Sequence, residues 1–390
     1  MTYERSSQIG DGFWSGFDPD VERRNAGAGQ SHHQSWLRRR ASGPFTQVEP
    51  AKIVKAYFDR VNANGGIQGR KLEYFTEDDQ TNPASASQGA RRLVDDIGVV
   101  ANVGSASALE CSVNGAYYVQ KGLVSIQGTG VDPLCFRNPN ISAVNTGPFT
   151  ATTLILQYAA RQLKKNNICA FFAQLPGLEP AYREAVIEFE EVNNKKILVQ
   201  DYSYKPGDDP TPLVLKAKQA GCDATMFAGS DAFAISWMNA VKAQGALKSS
   251  TWMFIGSTYT EAFAKTMGSS ANGIIVSSEF EPYLGEGAAL NDWRDLSSKN
   301  GIGLTAFSLG SYLSAQIFVD TVKNIKGEIT RESVTAAFKS MKPYKTPLMG
   351  TPFTFGSAPA HRSNQGVKIL ELRDGKYRAA YPGWIKLASK

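Results

Sequence analysis

From Ala51 onward, short apolar runs alternate with longer segments in which apolar residues recur every three or four positions. In the first such segment, about residues 50–63, Ile53, Val54 and Tyr57 share one side of a predicted helix, and Gly65 ends it. The intervening runs, such as "GVVANVG" and "ATMFAG", are apolar at successive positions, as is typical of strands buried between two helical layers. This alternation predicts an α/β fold.

The predicted strands and helices are too numerous for a single sheet covered by helices. We therefore expect two doubly wound parallel sheets, each covered by helices on both faces. The last third of the chain differs, with amphipathic helices predicted near residues 306–325 and 330–341 and a hairpin at Asp374-Gly375. We expect this last part of the chain to cover or bridge the two domains that the preceding strands and helices form.

The first forty residues do not follow this pattern. They are rich in Gly, Ser, Arg and Asp, have no sustained period of 2 or 3.6, and lack the apolar centre of a signal peptide. We expect a solvated, disordered arm, and an interaction patch at residues 38–40 is the alternative.

Composition restricts the classes of function. The chain has 390 residues, of which 20% are charged, and a formal net charge of +6 that is spread along the sequence, so nucleic-acid binding is not favoured. No apolar run reaches the roughly 18 residues of a membrane span. Only His361 among the three histidines lies in the body of the chain, so neither a metal site nor a histidine-based catalytic triad is expected.

The four cysteines lack metal-binding spacing. Cys111 and Cys135 lie in turn-rich segments, where a disulfide and two free thiols both remain open. Cys169 and Cys222 lie in apolar strand-like runs and are expected to be small buried hydrophobic residues.

Motifs for enzymatic chemistry are missing. "GTGVDP" begins like a dinucleotide-binding loop, but Pro133 stands where its third small residue should be, and neither a phosphate-binding loop nor a nucleophile elbow is found. We expect no cofactor and no enzymatic activity.

Small, hydroxyl-rich loops instead follow several apolar strands. In a parallel sheet they would share the carboxyl edge, where open α/β folds bind ligands. Alternatively, Ser107 and Asp231 are simple helix caps. The loops are "GSASA" (104–108), "QGTG" (127–130), "AGSDA" (228–232) and "IGSTY" (255–259).

Several of these segments, together with "SGPF" (42–45), "NANGGIQGRKLEYFTEDDQTNP" (62–83) and "GVDPLC" (130–135), resemble the type I periplasmic substrate-binding proteins of ABC transporters, in particular the branched-chain amino-acid group. The resemblance covers about residues 41–390. It implies a monomer with two lobes, 42–146 plus 281–345 and 147–280 plus 346–390, joined by three hinge crossovers. Such a protein closes on a small ligand outside the cytoplasm and delivers it to a membrane permease.

The resemblance also implies a set of ligand contacts from both lobes. These are Phe45, Gln47, Val48, Ser105, Ala106, Ser107, Gly128, Thr129, Leu178, Ser230, Asp231, Thr258 and Tyr259.

Two departures from the family pattern bear on the ligand and on the start of the chain. Amino-acid binders of this family place an acidic residue where Thr258 stands, so a small carboxylate, amide or aromatic acid is expected unless Asp231 pairs with an ammonium group. In addition, "SHHQSWLRRRA" occupies the place of the first apolar strand, so residues 1–41 are expected to be disordered or non-native, through a frameshift or a wrongly assigned start.

Two other functions remain open. A ligand-sensing regulator or receptor domain of the same fold would fit the absence of a visible export signal. An α/β enzyme would require a catalytic group that the motifs do not reveal.

Overall fold

The computed structural model describes the backbone of residues 33–39 and the complete residues 48–387, all within one compact unit that spans residues 32–390. Two of the predicted ligand contacts, Phe45 and Gln47, lie outside the described residues. The helices are α1 Glu49–Ala63, α2 Pro83–Arg91, α3 Glu110–Gln120, α4 Pro148–Arg161, α5 Glu179–Asn193, α6 Thr211–Gln219, α7 Asp231–Ala243, α8 Glu261–Met267, α9 Asn291–Lys299, α10 Ala306–Val322 and α11 Arg331–Lys339. The strands are β1 His33–Arg39, β2 Leu72–Asp78, β3 Ala101–Val103, β4 Val124–Gln127, β5 Ile141–Ala143, β6 Ile168–Ala173, β7 Val199–Tyr204, β8 Ala224–Ala228, β9 Thr251–Phe254, β10 Ile275–Ser278, β11 Gly366–Arg373, β12 Lys376–Ala379 and β13 Ile385–Lys386.

The first sheet is parallel and has the strand order β2-β1-β3-β4-β5. Its centre holds β1, which pairs with β2 over its whole length and with β3 at Ser35 and Trp36. Most of residues 1–41 lies outside the described residues, but for residues 33–39 the expectation of disorder was wrong. The reason is that β1 is polar and its pattern does not alternate, whereas strand formation here is driven by the unpaired backbone groups of β2 and β3.

The second sheet repeats this order. Its parallel part runs β7-β6-β8-β9-β10, and β11 and β12 extend it in antiparallel fashion beyond β10. The turn between β11 and β12 consists of Asp374 and Gly375, both with positive φ (51° and 72°), as the Asp-Gly pair predicted.

The chain crosses between the two sheets three times, at about residues 144–147, 279–281 and 348–366. Backbone and side-chain hydrogen bonds hold these crossovers together. Thr146 Oγ1 donates to the Gly366 carbonyl at 2.6 Å, and the Glu281 N–H donates to the Leu348 carbonyl at 3.0 Å. The predicted α/β fold, with two doubly wound sheets joined by three crossovers, is confirmed.

Buried apolar side chains fill the space between the sheets and their helices. In the second sheet the Trp237 ring of α7 stacks on Phe227 of β8, with ring centroids 4.6 Å apart. Each of the two helix-covered sheets thus has the apolar interior that the runs along the sequence predicted.

Both cysteine pairs are bonded. Cys111–Cys135 forms a disulfide, which is one of the two states left open by the sequence. Cys169–Cys222 also forms a disulfide, so the expectation that these two are simply small buried hydrophobic residues was wrong. The partners lie on β6 and just before β8, which are neighbours in the sheet although 53 residues apart in sequence.

Candidate functional site

The shared strand order gives each sheet one point at which the order of its strands reverses. In each sheet the chain direction from strand to strand reverses next to the first strand, between β1 and β3 and between β6 and β8. Ligands of open α/β sheets bind at such reversal points, outside the carboxyl ends of the strands. The loops after β3, β4, β8 and β9 all belong to these edges.

The serine hydroxyl groups of the loop after β3 form hydrogen bonds within the protein that fix the conformation of that loop. The Ser105 hydroxyl donates to the carboxylate of Glu110, and its carbonyl accepts from the N–H groups of Gly128 (2.8 Å) and Thr129 (3.2 Å). The Ser107 hydroxyl donates to Asp79 and accepts from the N–H groups of Leu109, just before α3, and Glu110, its first residue, both at 3.1 Å. Ser107 is therefore a helix cap, as the alternative interpretation proposed.

Ala106, between these two serines, is partly buried at the tip of the same loop. Val48 is likewise partly buried, directly before α1.

Gly128 lets helix α10 approach the first sheet. A Cβ at Gly128 would lie 2.4 Å from Ser311 Oγ, and one at Gly310 would lie 2.0 Å from the Gly128 carbonyl oxygen. The neighbouring Thr129 is 7% exposed, and its Oγ1 is buried without a hydrogen-bond partner among the described residues. Among the described residues of this loop, Thr129 Oγ1 and Gln127 Oε1 are both buried without a hydrogen-bond partner, and Thr129 is the one that was predicted to contact the ligand.

In the second sheet, the loop after β8 begins helix α7. Ser230 accepts from the Phe233 N–H at 3.4 Å as the helix cap, and Asp231 accepts from the Thr260 hydroxyl at 3.1 Å. Leu178 stands at the start of α5, where it packs against the core of the second sheet.

The loop after β9 contains two predicted contacts with different surroundings. Thr258 is fully buried, and its Oγ1 has no hydrogen-bond partner in the described part of the chain. The ring of Tyr259 packs against Tyr283 and Tyr377, with centroid distances of 4.6 and 4.7 Å, and its hydroxyl accepts from the Leu284 N–H. Tyr259 is thus enclosed by aromatic core residues.

An acidic residue that the sequence analysis did not select, Glu279, lies between the two sheets. It follows β10 in the second crossover, and Asn145 Nδ2 of the first crossover donates to its Oε2 at 2.7 Å. Asn364 Nδ2 of the third crossover donates to its main-chain carbonyl, also at 2.7 Å. Glu279 therefore joins all three crossovers.

The Glu279 side chain lies beside Gly256 in one predicted ligand loop and is linked to a second through Asn145. Asn145 is bonded to both main-chain groups of Gly130 in the loop after β4, at 2.8 and 3.1 Å. On the other side, a Cβ at Gly256 in the loop after β9 would lie 3.2 Å from Glu279 Cγ and 3.6 Å from Oε1. Burial raises the pKa of the Glu279 carboxyl to about 7, against the lowering effect of hydrogen bonds from Asn145 and Gly147.

The signal for Glu279 was present in the sequence. "IIVSSEF" is an apolar strand that ends in a carboxylate, and such an ending places the carboxylate at the ligand edge of a parallel sheet. The resemblance drew attention instead to the position of Thr258, one loop away.

Two further features were sought in the described part of the chain. No group of three or more His, Cys, Asp or Glu residues that could hold a metal ion is found there. Nor is any helix of residues 48–387 both long and apolar enough to cross a membrane. A depression of about 270 Å³ is lined by side chains of α5 together with Arg137 and Arg362, and none of the predicted ligand contacts lines it.

Solved structures with the same fold bind chemically different solutes. The branched-chain amino acid transporter substrate-binding protein of Streptococcus pneumoniae, in complex with isoleucine, is 18% identical, with a TM-score of 0.74 over 91% of this chain and 99% of that one. A fatty acid transporter substrate-binding protein from Thermomonospora curvata is 17% identical, with a TM-score of 0.75 over 95% and 96%. A solute-binding protein from R. palustris, in complex with 4-hydroxybenzoate, is 18% identical, with a TM-score of 0.73 over 91% and 97%.

At these identities the likeness establishes the fold and leaves the ligand open. No individually curated protein sequence is a significant match. The family model described as "periplasmic binding protein" matches residues 40–376, which is most of the chain. Proteins of this family bind solutes without transforming them, in agreement with the prediction that the chain is not an enzyme. The chain belongs to the periplasmic binding protein family.

Proposed function

We propose that this chain is an extracytoplasmic solute-binding protein of an ABC transporter, which captures one small polar solute between two lobes and delivers it to a membrane permease. The observation that carries the proposal is the arrangement around Glu279. Loops from the carboxyl edges of both sheets meet there, directly beside the three crossovers about which two lobes would turn. The lobes would comprise residues 42–146 with 281–345 and residues 147–280 with 346–390.

The proposed ligand is an amino acid, an amide, or a small carboxylic or aromatic acid. Buried hydroxyls at Thr129 and Thr258 without partners in the described residues favour a polar ligand, because an unpaired buried hydroxyl costs about 1–3 kcal/mol until it is bonded. The structural neighbours that bind isoleucine and 4-hydroxybenzoate fit this size and polarity. A branched-chain amino acid is one member of this class.

The extracytoplasmic location is supported by the two disulfides. Structural disulfides form and persist in oxidising compartments, and both bonds of this chain are buried. A periplasmic or cell-surface location supplies such conditions.

A thermal-shift screen against small solutes, followed by isothermal titration, tests the proposed function. A solute at 100 times its dissociation constant is expected to stabilise the folded chain by about 2.7 kcal/mol, with a stoichiometry of one. The proposal would be contradicted if no amino acid, amide or small acid raised the melting temperature.

A further inference from the structure

We propose that Glu279 pairs with a cationic nitrogen of the captured solute, so that the natural ligand carries an ammonium group. The inference deepens the proposed function and rests on it. It assigns the contact with the ligand's charge to a residue in the second crossover, which is not among the contacts predicted from the sequence.

The first argument is position. Glu279 follows β10 just as Asn145 follows β5, so both lie at the carboxyl ends of the fifth strands of two sheets with the same order. The Glu279 side chain touches Asn145, which holds Gly130 of one ligand loop, and it lies against Gly256 of the other. Gly256 leaves room for the Glu279 side chain, since a Cβ there would lie only 3.2 Å from Glu279 Cγ. A solute held between these loops would therefore meet the carboxylate.

The second argument is charge. Among the described residues, no cation lies within ion-pair distance of Glu279, and its hydrogen bonds come from the neutral amide groups of Asn145, Gly147 and Asn364. Lys368, on the neighbouring strand β11, forms an ion pair with Glu281 at 3.5 Å. The titratable groups that face Glu279 are the phenols Tyr182, on α5, and Tyr283, both kept neutral because burial raises the pKa of each hydroxyl.

Glu279 is partly buried, and a carboxylate that is removed from most of its water without gaining a counter-ion is unfavourable, so the protonated acid is favoured. Burial accordingly raises the pKa of Glu279 to about 7. A ligand ammonium would supply the missing charge and convert the group to the carboxylate. This explains why Thr258 can stand where related amino-acid binders have an acidic residue, because the carboxylate comes from the neighbouring strand end instead.

The test compares matched solutes on the full chain. Isoleucine and other amino acids are screened by thermal shift beside the 2-hydroxy acids with the same side chains, and beside 4-hydroxybenzoate. Only solutes with an ammonium group are expected to stabilise the protein. For the best of them, Glu279→Gln should weaken binding at least tenfold, while Glu281→Gln should leave the dissociation constant within about twofold of the wild type.

The pH dependence of the affinity provides a second test, which can be made on the wild-type protein. Since the carboxylate form is required, affinity of the wild type should fall about tenfold from pH 8 to pH 6, and this dependence should vanish in Glu279→Gln. Equal binding of the amine-free acids, or an unchanged affinity in Glu279→Gln, would overturn the inference and leave the proposed solute-binding function intact. Absence of binding by either class of solute would contradict both.

Discussion

At the scale of single residues, the predicted contacts divide by whether their polar atoms are already in use. The hydroxyls of Ser105 and Ser107 are committed to Glu110 and Asp79, so they hold the loop after β3 in shape. Those of Thr129 and Thr258 are buried and have no partner among the described residues. The second pair is therefore the better candidate for direct contact with a solute.

Replacing Thr129 or Thr258 by valine should weaken solute binding about fivefold to tenfold, because each change removes one hydrogen bond worth about 1 kcal/mol. The stability of the ligand-free chain should hold or rise slightly, since an unsatisfied hydroxyl is lost. Thr225→Val is the matched control. Its hydroxyl bonds Ser250 at 2.8 Å inside the second sheet, so this variant should lose stability and keep its affinity. Titration and urea unfolding measure the two quantities, and wild-type affinity in both test variants would count against the assignment.

Glu279 should also affect stability without any ligand. Its pKa of about 7 lies above the ordinary 4.5, so the folded state binds the proton more tightly than the unfolded state. The Glu279 carboxyl therefore contributes most to the free energy of unfolding below pH 4.5, and this contribution is lost as the pH rises through about 7. The loss is at most about 3 kcal/mol.

Urea unfolding of the wild type and of Glu279→Gln between pH 5 and pH 8 checks this expectation. The variant should gain stability relative to the wild type as the pH rises, while Glu281→Gln should follow the wild-type profile. Parallel profiles for the wild type and Glu279→Gln would mean that the carboxyl titrates normally.

At the scale of elements, glycine residues allow helix α10 to pack closely against the loops after β3 and β4 of the first sheet. Gly310 allows the helix to contact the Gly128 carbonyl, and Ser311 Oγ donates to the Gly104 carbonyl at 2.7 Å. Two of the glycine-rich loops that were expected to face a ligand thus also serve this packing.

Gly310→Ala should destabilise the chain by about 2 kcal/mol, although a glycine-to-alanine change inside an exposed helix normally stabilises by up to about 1 kcal/mol. The sign is reversed because the added Cβ would lie 2.0 Å from the Gly128 oxygen. Gly287→Ala is the control, since its Cβ would make only ordinary 3.9 Å contacts, and it should change stability by less than about 0.5 kcal/mol. Equal unfolding free energies for the two variants would show that α10 is not held at this distance.

The alternation of apolar strands and periodic helices was sufficient to predict most of these elements. The first helix, expected over residues 50–63, is Glu49–Ala63, and the expected hairpin forms around Asp374. The central strand β1 could not be predicted, because its sequence has no apolar alternation and its place in the sheet depends on partners 30 to 70 residues away.

The site was less accessible to sequence reasoning for a related reason. A Gly-Ser loop looks the same whether its hydroxyls face a ligand or brace a helix, and only the contacts of Ser105 and Ser107 distinguish the two. Likewise, the pairing of Cys169 with Cys222 depends on the adjacency of β6 and β8, which spacing along the chain does not encode.

At the scale of the whole molecule, the account depends on the three crossovers acting as a hinge. Hydrogen bonds of Thr146, Glu279 and Asn364 connect the crossovers, so we expect the proposed closure to bend the short segments beside these residues while the sheets stay rigid. The proposed lobes would then approach each other around a bound solute, with Glu279 at the base of the cleft.

Small-angle X-ray scattering with and without a saturating solute measures whether the lobes close. We expect a solute that binds with a stoichiometry of one, as measured by titration, to reduce the radius of gyration and to remove the scattering signature of an open cleft. A solute that binds with the same stoichiometry and leaves the scattering curve unchanged would contradict capture by closure of two lobes.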